Sequence, residues 1–217
     1  MIGYLRLLVI LFTIHYSLFA LSRSIPTINA EKAHEAAREQ VIWKERLCPF
    51  STLARDFLQS VYGKTSYKGL SAEQVVYGWM LRPDAWKDEA MIYLPDKDLR
   101  SQLNIEGDYA RFSQLFDDTL GYRLNSLGKD LPPRMRQLMK ESPAAVELDE
   151  KVGMIILLTQ GKLIQPRPQD MEALPGWRVE LEILWNKLPA WSGLLAIFIF
   201  FLLVFLLYSK KRITFAP

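Results

Sequence analysis

The sequence is poor in the residues that most often carry chemistry. It has one cysteine, Cys48, and two histidines, His15 and His34. One thiol makes no internal disulfide and no C-x-x-C redox pair. It leaves Cys48 as a mixed-disulfide partner or a buried, idle thiol. Two histidines and one cysteine do not furnish a dedicated zinc site. A Walker loop, G-x-G-x-x-G, G-x-S-x-G and H-E-x-x-H are all missing. Those are the spacings that cradle phosphates, bind dinucleotides, expose a nucleophilic serine or hold a catalytic zinc. With no recognisable catalytic constellation, the chain does not read as an enzyme. Charge of one sign is lacking too. The formal net charge is +3, part of it in one terminal cluster, which is no footprint for nucleic acid. There is no internal repeat and no low-complexity tract.

Long apolar runs, by contrast, are present at both ends. Residues 188–209 carry no formal charge, and Lys210, Lys211 and Arg212 follow at once. At about 1.5 Å per residue such a run reaches roughly 33 Å, against about 30 Å of hydrocarbon core. Trp185, Trp191 and Tyr208 sit where interfacial aromatics belong, and the basic cluster marks a cytoplasmic flank. The expectation is a transmembrane helix over 190–209 and a cytoplasmic basic tail over 210–217. At the other end an apolar run lies between Arg6 and Arg23. It spans only about 24 Å, so 1–24 reads as an N-terminal membrane anchor or as a signal peptide, with Ala20-Leu21-Ser22 near a cleavage site. His15 lies within it. An ionisable group in a membrane segment is a functional hypothesis, here a haem ligand; the alternative is a neutral imidazole near an interface.

The stretch 25–189 is long enough for one domain with a real core. Its periodicity is largely helical. Asn29 is placed to cap a helix over 30–43 that carries His34, either solvated or a haem-iron ligand. Pro49 makes 45–50 an extended link. From Ser51 a helix runs through Leu53, Ala54, Phe57, Leu58 and Val61 and ends at Gly63. Ser71 and Gln74 form a capping box for a helix carrying Val75, Val76, Trp79 and Met80. Residues 90–94 read as a short strand, Asp96 as the cap of a helix ending at Leu103, and 108–120 as a helix. Residues 134–140 form a short basic helix. The strongest internal helix covers 146–160, with Glu147, Asp149 and Glu150 at its start, where negative charge suits the helix dipole. Another covers 177–188. The fold class expected is mostly α: a helical extracytoplasmic domain with one or two short extended segments, flanked by N-terminal and C-terminal membrane helices.

Several stretches are specific in wording. Arg46-Leu47-Cys48-Pro49-Phe50-Ser51-Thr52-Leu53-Ala54 resembles a G-R-I-K-P-L-N-T-L-A motif, and Gly69-Leu70-Ser71-Ala72-Glu73-Gln74-Val75 a G-L-x-A-E-Q-V motif. Pro83-Asp84-Ala85-Trp86 is similar to P-E-x-W, and Asp149-Glu150-Lys151-Val152 to D-E-R-V. Gly161-Lys162-Leu163-Ile164-Gln165-Pro166 is similar to G-x-L-x-x-x-P, and Glu182-Ile183-Leu184-Trp185-Asn186 to a helix leading into a membrane span. In this order the motifs resemble the extracytoplasmic segment of system II cytochrome c biogenesis fusion proteins of the ResB–CcsA type, over roughly 25–191. Glu45, Cys48, Ser51 and Gly153 depart from the family residues, and the tryptophan-rich haem-handling loop of the CcsA half is absent from this sequence.

The resemblance implies a membrane-anchored accessory or docking subunit of cytochrome c maturation on the outer side of the cytoplasmic membrane. It carries no haem-handling machinery of its own; the partners implied are a multi-span haem-handling membrane protein and apocytochrome c. Candidate contacts are Arg46, Thr52, Trp79, Trp86, Asp149 and Glu150. Each has an architectural alternative: the tryptophans as core, the acids as helix-start charges, and Arg46 in a salt bridge to Asp149 or Glu150. No cofactor is expected unless His15 or His34 ligates haem in a relay, and an envelope scaffold unrelated to haem is the other reading. A thiol oxidoreductase would need a resolving cysteine.

Overall fold

The computed structural model describes residues 25–117, 119, 121–188 and 192–213. Asn29 accepts from the Lys32 amide and opens α1 (Ala30–Ala36). β1 (Gln40–Trp43) follows and turns through Lys44 and Glu45, both at positive φ, into β2 (Arg46–Pro49). The two pair antiparallel, with Val41 opposite Cys48. α2 (Phe50–Tyr62) starts directly from Pro49 and is closed by Gly63 in the left-handed region. The hairpin of β3 (Ser66–Tyr67) and β4 (Leu70–Ser71) leads to α3 (Ala72–Leu81), whose capping box joins Ser71 and Gln74 reciprocally at 3.3 and 3.0 Å.

After α4 (Pro83–Trp86), β5 (Ala90–Tyr93) pairs with β6 (Tyr109–Arg111), with α5 (Lys97–Leu103) between them. A 3₁₀ turn (Phe112–Leu115) leads to the small pair β7 (Phe116–Asp117) and β8 (Gly121–Tyr122). Two short helices, α6 (Arg123–Ser126) and α7 (Pro133–Lys140), come before the long α8 (Pro143–Thr159), capped by Ser142. β9 (Gln165–Pro166) returns to pair with β1, giving the order β2-β1-β9. α9 (Gly176–Lys187) and α10 (Ser192–Ile213) close the sequence of elements.

The core lies where α2, α3 and α8 meet. Leu53, Phe57 and Val61 of α2 recur on one face. With Val75, Val76 and Trp79 of α3 and Leu148, Val152 and Ile155 of α8 they are almost wholly removed from water. Burying each such side chain stabilises the fold by roughly 1.5–3 kcal/mol. Trp86 lies flat against Gly78, where a Cβ would stand 2.3 Å from the indole Nε1. Only a residue without a side chain permits that approach. Trp86 Nε1 donates to the Pro26 carbonyl at 2.9 Å, and Gln74 Nε2 to that of Ile28 at 3.0 Å. The entering chain is thus strapped to α3 and α4.

Several expectations need correction. The helix expected over 30–43 ends at Ala36, because Val41 and Ile42 are drawn into strand pairing on both sides. The helix expected over 108–120 is a strand and a 3₁₀ turn, because Tyr109 and Ala110 pair with Tyr93 and Ile92. In place of one or two extended segments, nine short strands in four small sheets are present among the described residues. The flanking membrane helices of the expected fold class are not supported. Among the described residues no helix is long and apolar enough to cross a membrane. The apolar run of 1–24 lies outside the described residues.

Candidate functional site

A cluster of polar side chains joins the first motif of the chain to its last. β2 carries Arg46 to its exposed end, the first turn of α2 presents Thr52, and α9 brings Glu182 and Asn186, four apart and so on one face. Glu182 Oε1 accepts from Arg46 Nη2 at 2.8 Å and from the Thr52 hydroxyl at 2.7 Å. The Thr52 oxygen accepts from Asn186 Nδ2 at 2.9 Å, and Asn186 Oδ1 from Arg55 Nη1 at 3.3 Å. The hydrogen bond to Glu182 raises the Arg46 pKa above its ordinary value against the opposing effect of burial. The Glu182 side chain is 18% exposed and that of Arg46 50%, so solvent screens the pair on the arginine side, and the carboxylate is held by Thr52 as well. Arg38 adds a second link to Glu180, at 2.6 Å.

Cys48 sits behind this cluster, fully buried, and burial pushes its thiol up to about 11. A thiol that stays protonated is a poor nucleophile. Asp56 stands nearby and accepts from Trp43 Nε1 at 3.0 Å and Lys44 Nζ at 2.8 Å. Burial works to raise its pKa, but those two donors outweigh it and hold the carboxyl below the usual value.

α9 has two contrasting faces. Val179 and Ile183 pack inward with Ala37 and Leu174, in a small cluster separate from the main core. On the opposite side Trp177, Leu181, Leu184, Trp185 and Leu188 are all exposed, Trp177 to 70%. Their spacing puts them on one stripe.

The structure sorts the sequence-predicted residues clearly. It brings Arg46 and Thr52 together, and the partner of Arg46 is Glu182, in place of Asp149 or Glu150. Trp79 and Trp86 are core residues, with Trp79 Nε1 on Met91 Sδ at 3.0 Å. Asp149 and Glu150 lie exposed on α8; burial first, and then the Asp149 carboxylate, raise the Tyr122 phenol. The residue of that motif with an architectural role is Lys151. It is 4% exposed, and its Nζ donates to the Tyr93 carbonyl and pairs with Glu147, both at 2.6 Å. Sequence reasoning did not single out Glu182, Asn186 or Lys151 as contacts, although each stands in a motif quoted above.

His15 lies outside the described residues. His34 lines a cavity of about 140 Å³ with Ala33, Ala37 and Glu73, well below the ~300–1,000 Å³ of ordinary small-molecule sites. The residues there do not fit a haem. Among the described residues no group of three or more His, Cys, Asp or Glu is placed to hold a metal ion.

Fold and cluster together define a small α-rich module. Its β1–β2 hairpin and α9 are latched by directional polar bonds, and among the described residues the outer apolar face of α9 is exposed. No family model matches the chain. It is similar to Protein NrfI of Wolinella succinogenes, 32% identical over 131 residues, which are 58% of this chain. The chain spans 14% of the length of that curated relative.

Proposed function

We propose that this chain is an accessory docking module of cytochrome c maturation. It works on the outer side of the cytoplasmic membrane, beside a multi-span haem-handling protein and within reach of apocytochrome c. The observation that carries the reading is the outer face of α9, with Trp177, Leu181, Leu184, Trp185 and Leu188 on one stripe and exposed. Aromatic and aliphatic residues displayed together on a held helix are the usual anchors of a protein interface. The motifs that resemble the ResB–CcsA type support this reading, and so does the likeness to NrfI. In NrfI the matched stretch belongs to a chain of which it makes up 14%, so its counterpart works alongside much more protein. The occupant of the stripe is then an apolar face of the haem-handling protein.

The reading is tested in cells by deleting the gene, restoring wild type or Trp177→Glu/Leu184→Glu, and staining c-type cytochromes for haem. Deletion is expected to abolish the signal, and the double variant to lose most of it while remaining folded. A photo-crosslinking residue at position 184 is expected to capture a multi-span haem-handling protein. Unchanged haem staining on deletion overturns the maturation role. A double variant as active as wild type overturns the α9 docking face.

A further inference from the structure

A second feature of the latch lies beside the apolar stripe and shares Leu188 with it. Between α2, the start of α3 and the end of α9 lies a cavity of about 700 Å³, lined by Arg55, Lys64, Lys187, Glu73 and a row of hydroxyl residues. Three cations thus meet one carboxylate. Among the described residues none of the three is in an ion pair, and Lys64 lies over the Tyr62 ring at 5.5 Å. The bond from Arg55 to Asn186 holds one arm of its guanidinium. Ser51, also in the lining, is 4% exposed as a residue, and its hydroxyl makes no hydrogen bond to protein among the described residues; the enclosed side-chain atom without a partner there is the Tyr122 hydroxyl, so the Ser51 oxygen is still open to the cavity.

Cations without an ion-pair partner beside a hydroxyl open to the same cavity form an arrangement that an anion completes. We propose that this cavity binds a phosphate monoester. A monoester carries about −1.5 to −2 at neutral pH, which balances the excess of positive charge. A guanidinium fork suits two phosphate oxygens and lysines supply point charge, while the Ser51 hydroxyl donates to a third. The volume is that of a small-molecule site, and Ala72 and Leu188 give the organic part of the ligand apolar contact. The monoester can come from a free metabolite-sized compound or from a lipid headgroup. The site shares Asn186 with the latch, so a bound anion would tighten the seat of α9.

Calorimetry on the full chain tests the proposal with glycerol 3-phosphate, and co-flotation tests it with vesicles containing phosphatidic acid or only phosphatidylcholine. Saturable binding of glycerol 3-phosphate supports a soluble source. Binding only to phosphatidic acid vesicles supports a lipid source. In either case Arg55→Gln/Lys64→Gln/Lys187→Gln is expected to weaken binding at least tenfold with unchanged circular dichroism, and Ser51→Ala to weaken it about threefold. Lys64→Arg is expected to retain it. Binding of neither probe overturns the proposal, as does equal binding of succinate or equal binding by the triple variant.

Discussion

α2 and α9 are both amphipathic helices of similar length, yet they are held by different forces. α2 is enclosed: Leu53, Ala54, Phe57, Leu58 and Val61 are fully buried against α3 and α8. α9 buries only Val179 and Ile183 and is otherwise attached by Arg38, Arg46, Thr52 and Arg55. Burial is strong and non-directional, so it fixes α2 and takes its apolar face out of contact with anything outside the fold. Hydrogen bonds are individually weaker and directional, so they set the rotation of α9 about its axis while its apolar side stays open. An element that must face a partner is better held by a few aimed bonds than by engulfment.

That contrast can be broken from its strong side first. Trp86→Ala is expected to cost about 3–5 kcal/mol, by the cavity it leaves and the lost bond to Pro26, and Gly78→Ala about 1–3 kcal/mol by overpacking against the same ring. Urea unfolding with an unchanged slope reads both. A loss under about 0.5 kcal/mol in either would show that the α3–α4 contact is not the centre of the fold.

The weaker side is tested next. Glu182→Ala leaves Arg46 and Thr52 without their acceptor and is expected to cost about 1–3 kcal/mol, with Glu182→Gln costing less because it keeps an acceptor for Thr52. Hydrogen exchange is expected to rise in 176–187 while α2 and α3 stay protected, as local opening requires. Uniform loss of protection would mean that α9 and the core unfold as one unit.

The two remaining tests use pH. The Cys48 thiol has an ordinary pKa near 9 and about 11 in the fold. Between those values the unfolded chain sheds a proton that the folded chain keeps, so stability is full below about pH 9 and falls as pH rises towards 11. Cys48→Ala is expected to remove that part of the slope. The part that begins near pH 10 remains, because burial and the Glu89 bond raise the Tyr67 phenol. For Asp56 the sign is opposite. Its pKa is depressed, so its contribution is present above about pH 4 and lost as pH falls through the lower folded value. Asp56→Asn is expected to flatten acid unfolding by under ~1 kcal/mol, as the partner Lys44 is largely exposed. An acid profile identical in the variant would remove Asp56 from the fold's electrostatics.

Much of the helical framework was legible in the sequence because its signals are local. The Asn29 cap, the Ser71–Gln74 box, the Asp96 cap and the Gly63 terminus each involve residues within four positions of one another, and all are found. The strands were less legible. Gln40–Trp43 carries helix formers just before it, and only its neighbours β2 and β9 decide for strand. The candidate site was legible by half. Arg46 and Thr52 stood out beside Pro49, but their partner Glu182 lies 130 residues beyond Thr52.

The sequence by itself determined where the capped helices start and which of their faces are apolar, because caps and periodicity act within a turn or two of chain. Only the tertiary structure decided which of those faces finds a partner inside the fold: Trp79 and Trp86 went inward, while Trp177 and Trp185 stayed out. It also decided that the Arg46 charge is met by α9 rather than α8. The physical reason is that burial and ion pairing depend on distance in space, and over more than a hundred residues the path of the chain sets that distance.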